Sequence, residues 1–211
     1  MQMPSLLRSF LQNDFPKHRG KEWSPNTMSI VCTTTSHRKF WVVDDKRNPF
    51  RDNDREGGAS FENTGQWGQI EIVHFEDFID KLMVGENKIK KCDCIVAHKE
   101  FLNTIVFLEL KEYNKKYLDG GREEAIQQLK ASIDYFNDMG DFLNHYTRRI
   151  ALFAYRLRHV PPTTDARNPM ALIKRRVVAP QTNMLGHLRH TTAWKNNVEF
   201  HELCAPATFS L

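Results

Sequence analysis

Apolar positions along the chain recur at two different spacings, and each spacing predicts a different element. Leu6, Leu7, Phe10 and Leu11 share one helical stripe, so residues 4–11 read as a short helix lying as a flap on the core. Phe75, Phe78, Ile79 and Leu82 predict a helix near 74–83, stopped by Gly85. Ile126, Leu129, Ile133 and Phe136 predict a helix over 122–139, preceded by Gly120-Gly121 and followed by Gly140 at the stop position. Other runs are rich in Val, Ile, Thr and aromatics and read as strands: 29–35, 39–44, a short one at 69–73, and a buried one from Arg149 to Tyr155. The runs 91–98 and 103–112 are strongly apolar and separated by a short link, which predicts a hairpin. The polar stretch 45–68, with Asp52, Asp54, Gly57 and Gly58, reads as a long exposed loop. A proline-bearing segment at 160–169 leaves the core; a helix near 169–175 and strands near 176–179 and 197–203 follow it.

The central order is helix, strand, strand, helix, strand, which predicts an α/β core with a mixed sheet. A chain of 211 residues fits one domain, with a core at about 69–155, an N-terminal extension and a C-terminal part. No apolar run approaches the ~20 residues of a membrane span. The first residues lack the basic and apolar regions of a secretory signal. Four cysteines without paired CxxC units indicate neither a disulfide framework nor a zinc ribbon, so a reducing cytoplasm is the expected compartment.

Charge changes the picture through its distribution. The net charge is only +4. From Arg156 onward, however, eight basic residues (Arg156, Arg158, Arg167, Lys174, Arg175, Arg176, Arg189 and Lys195) face three acids (Asp165, Glu199 and Glu202). A one-sided basic region is the footprint of a phosphate-backbone binder, although a solvated basic surface has the same composition.

The hairpin carries the chemistry. Strand side chains alternate faces, so Glu109 and Lys111 point the same way, inside a run apolar enough to be covered on both sides. A link centred on Phe101 pairs Lys99 with Asn103 and brings Asp93 opposite Glu109, with Cβ atoms ~5 Å apart. Two carboxylates that close repel unless a cation lies between them, and oxygen ligands suit Mg²⁺ or Mn²⁺. Lys111 reaches the same point and is suited to orient water or offset charge on a phosphate. A buried ion network without turnover uses the same residues.

Asp93 and Glu109-Leu110-Lys111, with a helix before and after, resemble the PD-(D/E)XK nuclease superfamily; Cys92 stands where that motif has its proline. The resemblance covers about residues 74–155. It implies a restriction-endonuclease-like mixed β-sheet flanked by helices, with Asp93 and Glu109 as metal ligands and Lys111 assisting the nucleophilic water. It further implies an acid from the preceding helix, here Glu76, and a polar residue from the following helix, here Gln127 or Gln128. The implied activity is Mg²⁺- or Mn²⁺-dependent hydrolysis of phosphodiester bonds in DNA. An RNase of the same fold, or an inactive nucleic-acid-binding or assembly subunit, are the alternatives.

Lys115 and Lys116, interleaved with Tyr113 and Tyr117, together with Arg156, Arg158, Lys174, Arg175, Arg176 and Arg189, are the candidate nucleic-acid contacts. Cys92 and Cys94 flank Asp93, face away from it and read as small core residues. His187 and His190 have metal-compatible spacing but no acid or cysteine to complete a set. His98, ending the Asp93 strand, reads as a loop histidine. No phosphate-binding GxxxxGK[ST] loop occurs. By analogy, a nuclease core of this size works with an ATPase or sensor subunit in an antiviral-defence or repair complex; a homo-oligomer is compatible with the same reading.

Overall fold

The structure, a computed structural model, describes residues 5–22, 29–53, 58–64, 68–86, 89–100, 102–113, 118–157, 197–205 and 207–211. Its organising element is a six-stranded sheet made of β1 (Cys32–Thr35), β5 (Ile70–His74), β6 (Cys94–His98), β7 (Thr104–Tyr113), β8 (Arg148–Leu157) and β9 (Glu199–Cys204), in that spatial order. The pairs from β1 to β7 are antiparallel. Those from β7 to β9 are parallel. The sheet is therefore mixed, and the fold is α/β.

β6 and β7 form the predicted hairpin in the predicted register: Cys94 pairs with Leu108 and Ile95 with Phe107, which sets Asp93 across from Glu109. β7 is buried on both faces, as its unbroken apolar run requires. On one side Ile105, Phe107, Ile95, Ala151 and Phe153 pack against helices. These are α1 (Leu6–Ser9), a π-helical turn at Phe10–Asp14, α2 (Phe15–His18), α3 (Phe75–Leu82) and α4 (Leu118–Asn137). Phe10 stacks on Phe142 at 3.9 Å between ring centroids, and Phe136 lies edge-on to Phe107 at 5.0 Å. The predicted N-terminal flap is thus present and longer than expected: the helical path runs from Leu6 to His18. The long helix starts four residues earlier than predicted and takes Gly120-Gly121 into its first turns; Gly140 follows it at φ +87°.

On the other side Val106, Leu108, Val96, Ile72 and Leu152 meet a second sheet. This sheet corrects the sequence reading. It contains β2 (Lys39–Val42), β3 (Phe50–Arg51), β4 (Ala59–Glu62) and β10 (Thr208–Ser210), in the order β10-β4-β2-β3. Two of these strands lie in the stretch 45–68 that reads as an exposed loop. Their few apolar residues are the reason they form: Ala59 and Phe61 are buried, and Phe61 stacks on Phe40 at 5.5 Å. β1 and β2, neighbours in sequence, belong to different sheets. The predicted segments at 160–169, 169–175 and 176–179 lie outside the described residues; the strand predicted near 197–203 is β9.

Candidate metal and catalytic site

β5 ends, β6 begins, and β7 and β8 approach their ends along one rim of the large sheet, and the ionisable residues collect there. Asp93 is held from three sides. Its carbonyl accepts from the N–H groups of Phe75 (2.8 Å) and Glu76 (3.1 Å) at the start of α3. Its Oδ2 accepts from the Leu110 N–H at 2.6 Å. The preceding residue, Cys92, donates its N–H to Ser132 Oγ on α4 at 2.7 Å, and Ser132 in turn donates to the Gln128 carbonyl. Backbone groups thus fix the carboxylate against β7 and the start of α3.

Glu109 is completely buried, and its Oε1 lies 2.5 Å from Lys111 Nζ. Period-two alternation brings those two side chains to one face, as the sequence predicts. Burial pushes the Asp93 carboxyl well above the usual carboxylate range, helped by the charges of Asp44 and Glu76 and opposed by the Leu110 N–H and Lys111. Burial likewise raises Glu109, and the charge of Asp93 adds to it; Lys111 works in the opposite sense. Burial is the larger cause at both groups, and the neighbouring carboxylate charges add to it.

Three carboxylates converge at this rim. Asp44, Glu76 and Asp93 each offer an oxygen within 4.8 Å of the others. Glu76 was expected from the resemblance. Asp44 was not, because it follows β2 in the second sheet and comes to the site only when the two sheets pack. Its buttress is His74, fully buried at the end of β5, whose Nε2 lies 3.1 Å from Asp44 Oδ1. His74 Nδ1 accepts the Asp77 N–H, capping α3, so the proton sits on Nε2 and is donated to Asp44. This bond is the first cause of the lowered Asp44 pKa. The only sequence signal for Asp44 is an acid pair, Asp44-Asp45, directly after an apolar strand. Lys46 stands 3.7 Å from Glu76 and 3.5 Å from Asp80.

The remaining candidates divide. Gln127 is exposed and its amide oxygen accepts from Lys90; Gln128 donates to the Lys91 carbonyl at 3.2 Å, close to Asp93 in sequence. Arg156 lines a cleft that runs past Asp44 and Lys111. Lys115, Lys116, Tyr117, Arg158, Lys174, Arg175, Arg176, Arg189, His187 and His190 lie outside the described residues. Cys92 and Cys94 are core residues. His98 is a buried strand residue, in place of the expected loop histidine. No described helix is long and apolar enough to cross a membrane. No protein-family model matches the chain, and neither curated proteins nor solved structures give a significant match.

Proposed function

We propose that this chain is a metal-dependent nuclease of the restriction-endonuclease-like, PD-(D/E)XK kind, hydrolysing phosphodiester bonds in DNA. The observation that carries the reading is the convergence of Asp44, Glu76 and Asp93, together with the buried Glu109–Lys111 pair, with Asp44 and Lys111 lining a cleft. The donor set fits a hard divalent cation, since all its ligand atoms are carboxylate oxygens and their mutual repulsion is relieved by a positive centre. Asp93 would hold the cation with Glu76 and Asp44; Glu109, expected from the sequence as the second ligand, is paired with Lys111 and is not one of the three carboxylates that converge. When bound, Mg²⁺ or Mn²⁺ supplies Lewis acidity and charge neutralisation at the reacting phosphate.

The protein's own groups do the positioning. The Leu110 N–H holds the Asp93 carboxylate in one orientation. Glu109 anchors the Lys111 ammonium, whose side chain is about a quarter exposed and lines the cleft. From there its N–H donors orient an attacking water and offset charge that grows on the phosphate oxygens. Such preorganised donors act in a partly dehydrated site, where they cost little reorganisation.

The test is incubation with plasmid, single-stranded DNA and RNA, in Mg²⁺, Mn²⁺ or EDTA, for the wild type and for Asp93→Asn, Glu109→Gln and Lys111→Ala. Cleavage that needs the metal and falls by orders of magnitude in all three variants, with melting temperatures kept, is the expected result. Cleavage of RNA alone changes the substrate to RNA. Variants that cut at the wild-type rate overturn the reading. So do variants that melt far below wild type: a purely structural pair predicts ~3–5 kcal/mol lost when Glu109 or Lys111 is stranded.

A further inference from the structure

The cleft beside the carboxylates has a wall chemistry of its own. It encloses about 700 Å³ between the second sheet and the rim of the first. Trp41 and Lys39 line it from β2, and Tyr155 and Arg156 from β8. Trp41 is only half-buried, and the Lys39 ammonium lies 5.3 Å from its ring centroid. Tyr155 is also half-buried and is backed by Phe153, with ring centroids 5.2 Å apart at 26°. Arg156 Nε is buried without a hydrogen-bond partner among the described residues. Arg156 as a residue is half-buried and lines the cleft, so its side chain brings guanidinium donors to that wall, and phosphate oxygens match such donors best.

Aromatic faces interleaved with cations bind a nucleic-acid strand whose bases are unstacked. Each base brings a π face to an aromatic ring, while the phosphates follow the positive charge. The size of the cleft agrees. A volume of that order is the size of a small-ligand site, roughly 300–1,000 Å³, which suits a nucleotide or two of one strand. We propose that the cleft takes one strand of nucleic acid, stacking bases on Trp41 and Tyr155 and pairing phosphates with Lys39 and Arg156. The same strand then carries a phosphodiester past Lys111 and Asp44. This rests on the nuclease reading for what happens at the carboxylates, but not for the binding.

The test reads binding in EDTA, by fluorescence anisotropy of labelled oligothymidylate, oligouridylate and a DNA duplex of equal length. The proteins are the wild type, Trp41→Leu, Trp41→Phe and Arg156→Gln. Expected is tighter binding of the single strands than of the duplex, a loss of roughly tenfold or more for Trp41→Leu, and near-complete rescue by Trp41→Phe. Arg156→Gln, which leaves the aromatic wall intact, weakens single-strand binding and lowers its salt dependence. A tighter oligothymidylate or oligouridylate complex shows which strand the cleft prefers; equal binding agrees with stacking that ignores both the sugar and the 5-methyl group. The inference fails if the duplex binds more tightly, if no strand binds, or if Trp41→Leu and Arg156→Gln both bind as wild type. Single-strand binding without Mn²⁺-dependent cleavage upholds the cleft and sinks the nuclease; cleavage without single-strand binding does the reverse.

Discussion

At His74 two requirements meet in one imidazole. Nδ1 caps α3 and Nε2 aims Asp44 at Glu76 and Asp93. The two roles separate in His74→Asn. Asparagine is itself a good N-cap, so the helix keeps its first bond, but its shorter side chain leaves Asp44 unheld. The variant is expected to lose about 1–3 kcal/mol, because asparagine leaves part of the buried imidazole volume unfilled, while Mn²⁺ affinity measured by titration calorimetry on the folded protein falls at least tenfold. Unchanged affinity would remove His74 from the site. Asp93 and Glu109 give a second test. Both carboxyls are raised in the folded state, first by burial. The folded protein therefore keeps these protons to higher pH than the unfolded chain, whose Asp and Glu titrate near ~4. Their contribution to stability is full below that range and is lost as pH rises through the raised values. Without metal, the melting temperature is expected to fall between about pH 5 and 8, and Asp93→Asn should flatten the fall. Mn²⁺ should reverse the slope, because it binds the deprotonated groups and stabilises the folded state more as pH rises. A flat profile in EDTA would contradict the burial of these two carboxyls.

Among the elements, the hairpin was the most legible part. A short link, two apolar runs and a period of two fix which residues oppose each other, and Asp93 across from Glu109 follows from local sequence alone. α3 and the middle of α4 were equally plain, because their apolar stripes are complete. The second sheet was hidden for a physical reason. β3 and β4 are two and four residues long, set among Asp, Asn, Arg and Gly, and gain their burial only from packing on the large sheet. Asp44 was missed with them, since no local pattern shows which distant strand it will meet. Glycine gives a way to test that second wall. Gly58 sits at φ +93°, and an added Cβ would come within 2.2 Å of the Val42 carbonyl oxygen and 2.7 Å of Val43 Cγ1. Gly85 has a similar φ of +88° but open space around it. Gly85→Ala should therefore cost only the backbone term, about 1–2 kcal/mol. Gly58→Ala adds a clash with rigid backbone and should cost about 3 kcal/mol or more, with loss of strand binding as the β2–β4 wall shifts. Equal melting temperatures for the two variants would contradict the close packing of β4 on β2.

For the whole molecule, the question is how a mild net charge of +4 can serve a polyanion. The described part keeps its acids near its cations: Arg51 pairs with Asp45, Lys46 with Glu76 and Asp80, and Lys111 with Glu109. The excess lies from Arg156 onward, where eight basic residues oppose three acids. β8 runs parallel to β7 and ends along the same rim of the large sheet. Two kinds of contact are then distinguishable by salt. Stacking on Trp41 and Tyr155 is insensitive to ionic strength, whereas each neutralised phosphate adds about 0.7 to the log–log slope for a single strand. Replacing Lys174, Arg175 and Arg176 together by Gln is expected to reduce the slope by up to about 2, while the residual affinity at high salt stays near wild type. Trp41→Leu should do the opposite: a parallel line, shifted to weaker binding at every salt concentration. Titrations of both variants between 50 and 400 mM NaCl read the two effects apart. A triple variant whose slope equals the wild type's would show that Lys174, Arg175 and Arg176 serve no phosphate.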